Sequence, residues 1–420
     1  MEQMNIFDLL GNEEKDKFKV FESTDWKWTF ADYPKEKNGL KVFSCFACGG
    51  GSTMGYKLAG CEVLGCVEID KRMNDVYVKN HNPKYNFLMD IRDFNALPND
   101  QVPAELFDLD VLDGSPPCTT FSMVGLREET WGKEKKFREG QAKQTLDDLS
   151  FIFIDTVKKL RPKTVIMENV EGLILGEAWS YVQRIYSGFH EAGYKVKHWL
   201  CKGERMGIPQ TRHRVFFVAI RDDLGIDPSF LDMSFNYAPI LYGEIMSGEG
   251  ISVRESSQIY HCLKAAKHGE VDIASVLVRL GEKHRCFSSK LVWNDFIVPT
   301  ITGKSELYRV EELKKISIED VIHAQTFPED YDFGSRTLNY VTYICGMSVP
   351  PVMTKRIMMK LIEQGVYDYK TNQNKWIVNY DNGVKLGTID LKCPKCGHCV
   401  ICPKVDVPNF CGKCGVKLER

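Results

Sequence analysis

Val42-Phe43-Ser44-Cys45-Phe46 runs into Ala47-Cys48-Gly49-Gly50-Gly51-Ser52, and a helical stretch at 54–59 follows. The first five residues read as a short buried strand. Three consecutive glycines then make a tight turn, and the helix after it turns its backbone N–H groups toward whatever the turn holds. Glu68 ends the next apolar run, about twenty residues on, where an acid suits a ribose hydroxyl pair. Asp90 ends a third run and suits an adenine amino group. No lysine follows the glycines, which disfavours a phosphate-binding loop and favours a nucleoside without phosphates.

Working outward, strands are predicted at 42–46, 63–69, 87–89, 109–112, 164–167, 195–200 and 215–220, with helical stretches at 73–80 and 146–160 between them. Such alternation predicts an α/β fold with a doubly wound, mostly parallel sheet. The rhythm stops after Asp222, so 222–300 reads as a smaller inserted lobe. Helical patterns return at 317–325 and 351–364. The expected organisation is an extension at 1–38, a main domain at 39–221 that resumes at 301–366, a linker at 367–390 and a cysteine-rich tail at 391–420.

The chain has 420 residues, 43% of them hydrophobic and 27% charged, which suits two or three soluble domains. Lys and Arg total 55 against 57 Asp and Glu, so a nucleic-acid partner must meet local patches rather than a global basic field. No apolar stretch is long enough for a bilayer, and Met1–Asn5 lacks the basic start of a secretory signal. With 15 cysteines and Cys-x-x-Cys pairs, the expectation is the reducing cytoplasm, with catalytic or metal-bound thiols.

The chemistry is carried by Asp113-Gly114-Ser115-Pro116-Pro117-Cys118-Thr119-Thr120-Phe121-Ser122. Glycine and two prolines force a rigid turn after the apolar run, and a thiol there opens at the carboxyl end of a strand, where open α/β sheets bind ligands. Further on come Glu168-Asn169-Val170, Gln210-Thr211-Arg212-His213-Arg214, Ala324-Gln325-Thr326-Phe327-Pro328 and Gly346-Met347-Ser348-Val349-Pro350-Pro351. With Phe46–Gly51, these six motifs resemble, in order, those of the C5-cytosine DNA methyltransferases. The resemblance covers about Lys41 to Gln364.

That resemblance implies a Rossmann-like methyltransferase fold, S-adenosylmethionine as cofactor and double-stranded DNA as partner. Phe46, Gly51, Glu68, Ile69, Asp90, Ile91, Pro117, Leu149 and Ser348 would line the cofactor site. Cys118 would be the nucleophile, Glu168 the acid at N3, and Arg214, with Arg212 beside it, the clamp on O2. Three positions depart from the family. Cys48 stands where glycine is usual, Thr119 replaces a glutamine, and Met347 replaces an asparagine. Cysteine suits the reaction because it is partly ionised near neutral pH, and its addition at C6 makes C5 nucleophilic. A carboxyl kept protonated by an apolar setting would donate to N3, and a guanidinium to O2.

C5 and C6 lie inside a stacked duplex, so the base must be flipped out or met in a single strand. The charged stretch 126–138 resembles the family's mobile loop, and 222–289 its target-recognition region, with Arg279–Arg285 as a phosphate contact. In the tail, Cys393-x-x-Cys396 and Cys411-x-x-Cys414 have the spacing of a zinc ribbon, with Cys399 and Cys402 as a competing pair. Gln3-Met4-Asn5-Ile6-Phe7 resembles peptides that dock on bacterial sliding clamps. The chain is expected to act as a monomer on bacterial or phage DNA. Two alternatives stay open: an RNA cytosine-C5 methyltransferase, and a non-catalytic DNA-binding protein with a degenerate cofactor site.

Overall fold

The structure is a computed structural model that describes residues 20–117, 149–175, 178–282 and 289–368, together with the backbone at 377–379, 388–392 and 399–403. By its contacts the chain divides into two compact units, Met1–Lys360 and Leu361–Arg420.

The first unit is built on seven strands: β1 (Lys41–Cys45), β2 (Glu62–Glu68), β3 (Tyr85–Leu88), β4 (Val111–Gly114), β5 (Thr164–Val170), β6 (Tyr194–Lys202) and β8 (His213–Arg221). They form one sheet in the order β3-β2-β1-β4-β5-β8-β6. The first five are parallel, and β8 runs antiparallel to both β5 and β6. Every strand expected from the apolar runs is therefore in this sheet. The antiparallel insertion of β8 was not foreseen, because sheet partners are chosen by contacts far apart in sequence. The strand order reverses between β1 and β4, which opens a ligand crevice at their carboxyl ends.

Helices cover both faces. Phe43 and Cys45 of β1 point toward α3 (Ile91–Ala96), α4 (Leu149–Leu160) and α5 (Trp179–Glu191), in a core that also holds Phe94, Phe153 and Phe189. Each fully buried side chain of this size contributes roughly 1.5–3 kcal/mol. Alternation sends Ser44 to the opposite face, toward α1 (Gly51–Leu58) and α2 (Lys71–His81). There a second core joins Met54, Met73 and Val76 to Phe327, Val341 and Ile344.

Residues beyond Asp222 build a smaller sheet from β9 (Ile251–Ser252), β10 (Ser289–Val292), β12 (Glu306–Arg309) and β13 (Lys314–Lys315), in the order β10-β12-β13-β9. It thus extends past the expected boundary at residue 300. Helices α7 (Gln258–Ala265) and α8 (Ile273–Arg279) close over it around Leu263, Leu277, Trp293 and Tyr308. A short α6 (Tyr242–Ile245) precedes it, and β11 (Val298–Pro299) pairs with β7 (Gln210–Thr211). The chain then forms α9 (Ile318–Ala324), α10 (Leu338–Met347), which the periodicity did not reveal, and α11 (Pro351–Glu363). Buried Asp320 of α9 pins the lobe: it accepts from Arg309 Nε at 3.1 Å, Tyr242 Oη at 2.7 Å and Ser247 N at 2.7 Å.

The extension from Val20 is held as well. Trp28 Nε1 donates to Thr326 O at 2.8 Å, and Asp25 pairs with Lys355 at 3.0 Å. In the second unit, β14 (Ile377–Asn379), β15 (Thr388–Lys392) and β16 (Cys399–Pro403) form an antiparallel sheet. Its first two strands begin inside the stretch expected as linker. Among the described residues no helix is long and apolar enough to cross a membrane.

Candidate active site

The turn after β1 is built from left-handed backbone. Phe46, Cys48 and Gly50 have φ of 58°, 47° and 80°. Glycine is free to adopt such angles, but a side chain at Cys48 costs about 1 kcal/mol. The turn is also closely approached: a Cβ on Gly50 would lie 2.1 Å from His81 Nε2, and one on Gly51 1.9 Å from Val349 O. Glycine is therefore required there by φ, by space, or by both. Two side chains grip the Gly49 carbonyl, Tyr331 Oη at 2.5 Å and His81 Nε2 at 3.5 Å. Burial pushes the His81 pKa down to about 3, which keeps this imidazole neutral.

Glu68 closes the other side. Its carboxylate accepts from Cys48 N and Asp70 N, both at 2.8 Å. Burial raises its pKa above the usual carboxylate range, and these backbone donors pull it back. Each oxygen retains lone-pair capacity, so the group fits a hydroxyl pair such as a ribose presents. Asp90 caps α3 through Arg92 N at 2.8 Å and meets Arg92 Nη1 at 3.3 Å. Ile69 is half-buried beside Glu68, whereas Ile91 and Leu149 are buried in the core against which Phe46 packs. Ser348 is buried, and its Cβ would lie 3.1 Å from one built on Gly51. The Gly346–Pro351 motif therefore meets the glycine turn across some 300 residues of sequence. Met347 is 45% exposed.

On the reaction side, the turn after β4 is tied twice. Ser115 Oγ donates to Phe46 O at 3.2 Å, joining it to the glycine turn. Asn169 Nδ2 donates to Pro116 O at 3.3 Å, joining it to the end of β5. Pro117 is exposed and is the last described residue before the gap. Cys118, Thr119 and the loop 126–138 lie outside the described residues.

Glu168 and Arg214 come together. Arg214 sits opposite Val170 in the β5–β8 register, which makes it the diagonal, same-face neighbour of Glu168. Arg214 Nε meets Glu168 Oε1 at 2.8 Å, with both side chains slightly exposed. The expected apolar setting of Glu168 is therefore corrected: the carboxyl faces a guanidinium. Arg214 Nη1 also donates to His213 O at 2.7 Å, and the His213 ring lies between Glu171 (3.2 Å) and Glu204 (2.9 Å).

Arg212 goes elsewhere. Arg212 N donates to Gln210 O at 2.8 Å, a tight turn that leaves Arg212 in the break between β7 and β8, outside the strand that carries Arg214. Its side chain is 3% exposed and donates to Ile301 O (2.8 Å), Gly346 O (3.3 Å) and Ser348 O (3.1 Å). Burial and the Arg214 charge lower its pKa, against an opposing pull from Glu168. Gln210 and Gln325 complete this clasp: Gln210 Nε2 donates to Gln325 Oε1 at 2.9 Å, and Gln325 Nε2 to Ser348 O at 2.8 Å. Arg212 thus holds motifs together instead of facing the site. Asp113, Asn169 and Gln325 were not singled out in the sequence. Their only signal was a place inside an ordered motif.

Several expectations fall outside the described residues: the side chains of Cys393, Cys396, Cys399, Cys402, Cys411 and Cys414, the Gln3–Phe7 peptide, and Lys283–Arg285. Among the described residues no group of three His, Cys, Asp or Glu is placed to hold a metal ion. Arg279 is occupied by Glu270, at 2.6 Å, rather than free for a phosphate.

Comparison with known proteins bears on this arrangement. The profile of the C-5 cytosine-specific DNA methylase family matches residues 40–363. The type II methyltransferase M.FnuDI of Fusobacterium nucleatum is 31% identical over 188 residues, 44% of this chain and 48% of that protein. The type II methyltransferase M.Sau96I of Staphylococcus aureus is 24% identical over 346 residues, 78% of this chain and 77% of that one. The crystal structure of DNMT2 from Spodoptera frugiperda superposes with a TM-score of 0.55 at 16% identity, covering 77% of this chain and all of that one, a likeness of fold.

Proposed function

The chain belongs to the C-5 cytosine-specific DNA methylase family, and we propose that it transfers a methyl group to C5 of cytosine in duplex DNA through a covalent bond between Cys118 and C6. The observation that supports this most is the Glu168–Arg214 pair, 2.8 Å apart and tethered through Asn169 to the turn that leads into Cys118. Phe46, Glu68 and Asp90, at the carboxyl ends of β1, β2 and β3, would hold S-adenosylmethionine, which supplies an electrophilic methyl group.

The Cys118 thiolate forms the bond to C6, and the electron pair of the C5–C6 double bond moves toward N3 and O2. Arg214 meets the charge at O2, and a proton held between N3 and the Glu168 carboxylate, which Arg214 orients, meets the charge at N3. C5 would then take the methyl group, the electrons of the broken sulfur–methyl bond staying with the donor, which leaves as a neutral thioether. The C5 proton leaves to water, the S–C6 bond breaks, and the thiolate is restored. The lobe after Asp222 would choose the target sequence. The relatives' names suggest the modification half of a restriction–modification pair.

Bisulfite sequencing of DNA from cells expressing the chain is the test. Methylated cytosines in one short sequence context are expected, and a pattern identical to that of empty cells would overturn the proposal. Labelled methyl donor offered with duplex DNA and with tRNA should mark the DNA.

For the tail we propose that Cys393, Cys396, Cys411 and Cys414 bind zinc, supported by their spacing and by the antiparallel pair β15–β16, whose strands flank Cys393 and Cys396. One zinc per chain is expected by elemental analysis, falling to none in a Cys393→Ser, Cys414→Ser double variant. Docking of Gln3–Phe7 on a sliding clamp is proposed on resemblance alone; clamp pull-down unchanged by deletion of residues 1–10 would dispose of it.

A further inference from the structure

Asp113 is a buried carboxylate that the proposed chemistry does not use. It lies at the end of β4, on the sheet face that carries α1 and α2, with 5% of its surface exposed. Three hydroxyls donate to it. Ser44 Oγ of β1 and Ser52 Oγ of α1 both reach Oδ2 at 2.6 Å, and Tyr56 Oη of α1 reaches Oδ1 at 3.0 Å. Ser44 is its partner in the β1–β4 register, so that bond adds to a pairing already made. Ser52 and Tyr56 differ, because they stand on the first two turns of the helix that follows Gly49-Gly50-Gly51. Two residues beyond Asp113, Ser115 Oγ ties back to Phe46 O on the same glycine turn.

We propose that Asp113 is a positioning residue, which anchors the first turns of α1, and with them the glycine turn that receives the methyl donor, to the strand leading into Cys118. This rests on the reading that the glycine turn holds S-adenosylmethionine. One carboxylate gathers both α1 donors, so the cofactor turn and the nucleophile turn move as one body. Its cost to the fold supports a role beyond stability. Burial raises the Asp113 pKa to about 6, against the pull of its three hydroxyl donors. A carboxyl raised on folding stabilises below its unfolded pKa, and that stability is lost as pH rises through about 6. At neutral pH the ionised group is therefore a burden on the fold. The titratable groups around it are Tyr56 on α1, Tyr77 on α2, Glu168 on β5 and, on the other face of the sheet, Cys45 on β1.

The test is titration of the full chain with S-adenosylmethionine by calorimetry, beside thermal unfolding. Asp113→Asn and Ser52→Ala should each weaken binding about tenfold, the loss of one charge-assisted hydrogen bond. They should raise KM for the donor more than they lower kcat. Ser44→Ala removes a bond of the same length and should lower Tm comparably, yet bind the donor within about twofold of the parent. Binding by the parent should weaken below about pH 6, as a proton on Asp113 forces one hydroxyl to turn away, while Asp113→Asn stays weak and flat across that range. Parent-like binding by both Asp113→Asn and Ser52→Ala would overturn the inference, as would equal weakening by Ser44→Ala. Failure of the parent to bind the donor would instead sink the cofactor reading itself, and this inference with it. If Asp113→Asn does not fold, Ser52→Ala and Tyr56→Phe carry the comparison.

Discussion

Cys118→Ala should abolish methyl transfer, with a loss on the order of 10⁴-fold or more in kcat. The size follows from the chemistry. C5 of cytosine does not attack a methyl group unless C6 is first converted to a tetrahedral centre, and only a strong nucleophile adds there. Without the thiolate, the Glu168–Arg214 pair has no charge to stabilise at N3 and O2. Serine would not restore activity, because its hydroxyl is not ionised near neutral pH whereas a cysteine is partly so. Donor binding should survive, since the glycine turn, Glu68 and Asp90 are untouched. Transfer of labelled methyl to duplex DNA measures the loss, and calorimetry with S-adenosylmethionine measures what is retained. Substantial methylation by Cys118→Ala would end the covalent reading.

Arg212→Met and Arg214→Met should fail in different ways, although the residues are two apart. The Arg212 guanidinium donates to three carbonyls in a dry interior, those of Ile301, Gly346 and Ser348. Methionine fills the space and donates to none; Ser348 O keeps Gln325 Nε2, but the Ile301 and Gly346 carbonyls lose the Arg212 donor, at a cost of roughly 3 kcal/mol. The expected result is a large fall in Tm, with activity lost because the fold is lost. Arg214 is partly open and faces Glu168. Its replacement should leave Tm within a few degrees and lower kcat about 10²- to 10³-fold, the usual consequence of deleting a donor to a developing oxyanion. Equal thermal stability and comparable kcat losses in the two variants would show that both arginines serve the reaction directly.

Arg212 stands outside the strand that carries Arg214, a difference the sequence does not display. A period-two strand would place residues 212 and 214 on the same face, and both were expected at the site. The strand is instead broken at Arg212, where a tight turn closed by Arg212 N and Gln210 O ends β7, so one side chain turns inward and the other stays at the crevice. Glu168 was legible as the acid at the end of β5, but not its ion pair, because Arg214 arrives on β8, which inserts antiparallel beside β5. Asp113 was quoted as part of a turn, yet its meaning depends on Ser52 and Tyr56, about sixty residues earlier.

What the sequence determined by itself was local, or ordered along the chain. Apolar runs marked the strands of the main sheet, most plainly the interior β1, β4, β5 and β8, because a strand buried on both faces must be apolar whatever its neighbours are. The glycine turn was readable because positive φ and close approach exclude a side chain at the residue concerned. The family was readable from motifs in their order. The tertiary structure alone decided which strand lies beside which, how the lobe's sheet closes, and which buried polar groups find one another. Those choices are made by contacts between residues tens to hundreds of positions apart. Desolvated carboxylates and guanidinia must be satisfied wherever the fold happens to bring donors and acceptors, and no short stretch of sequence records that partner.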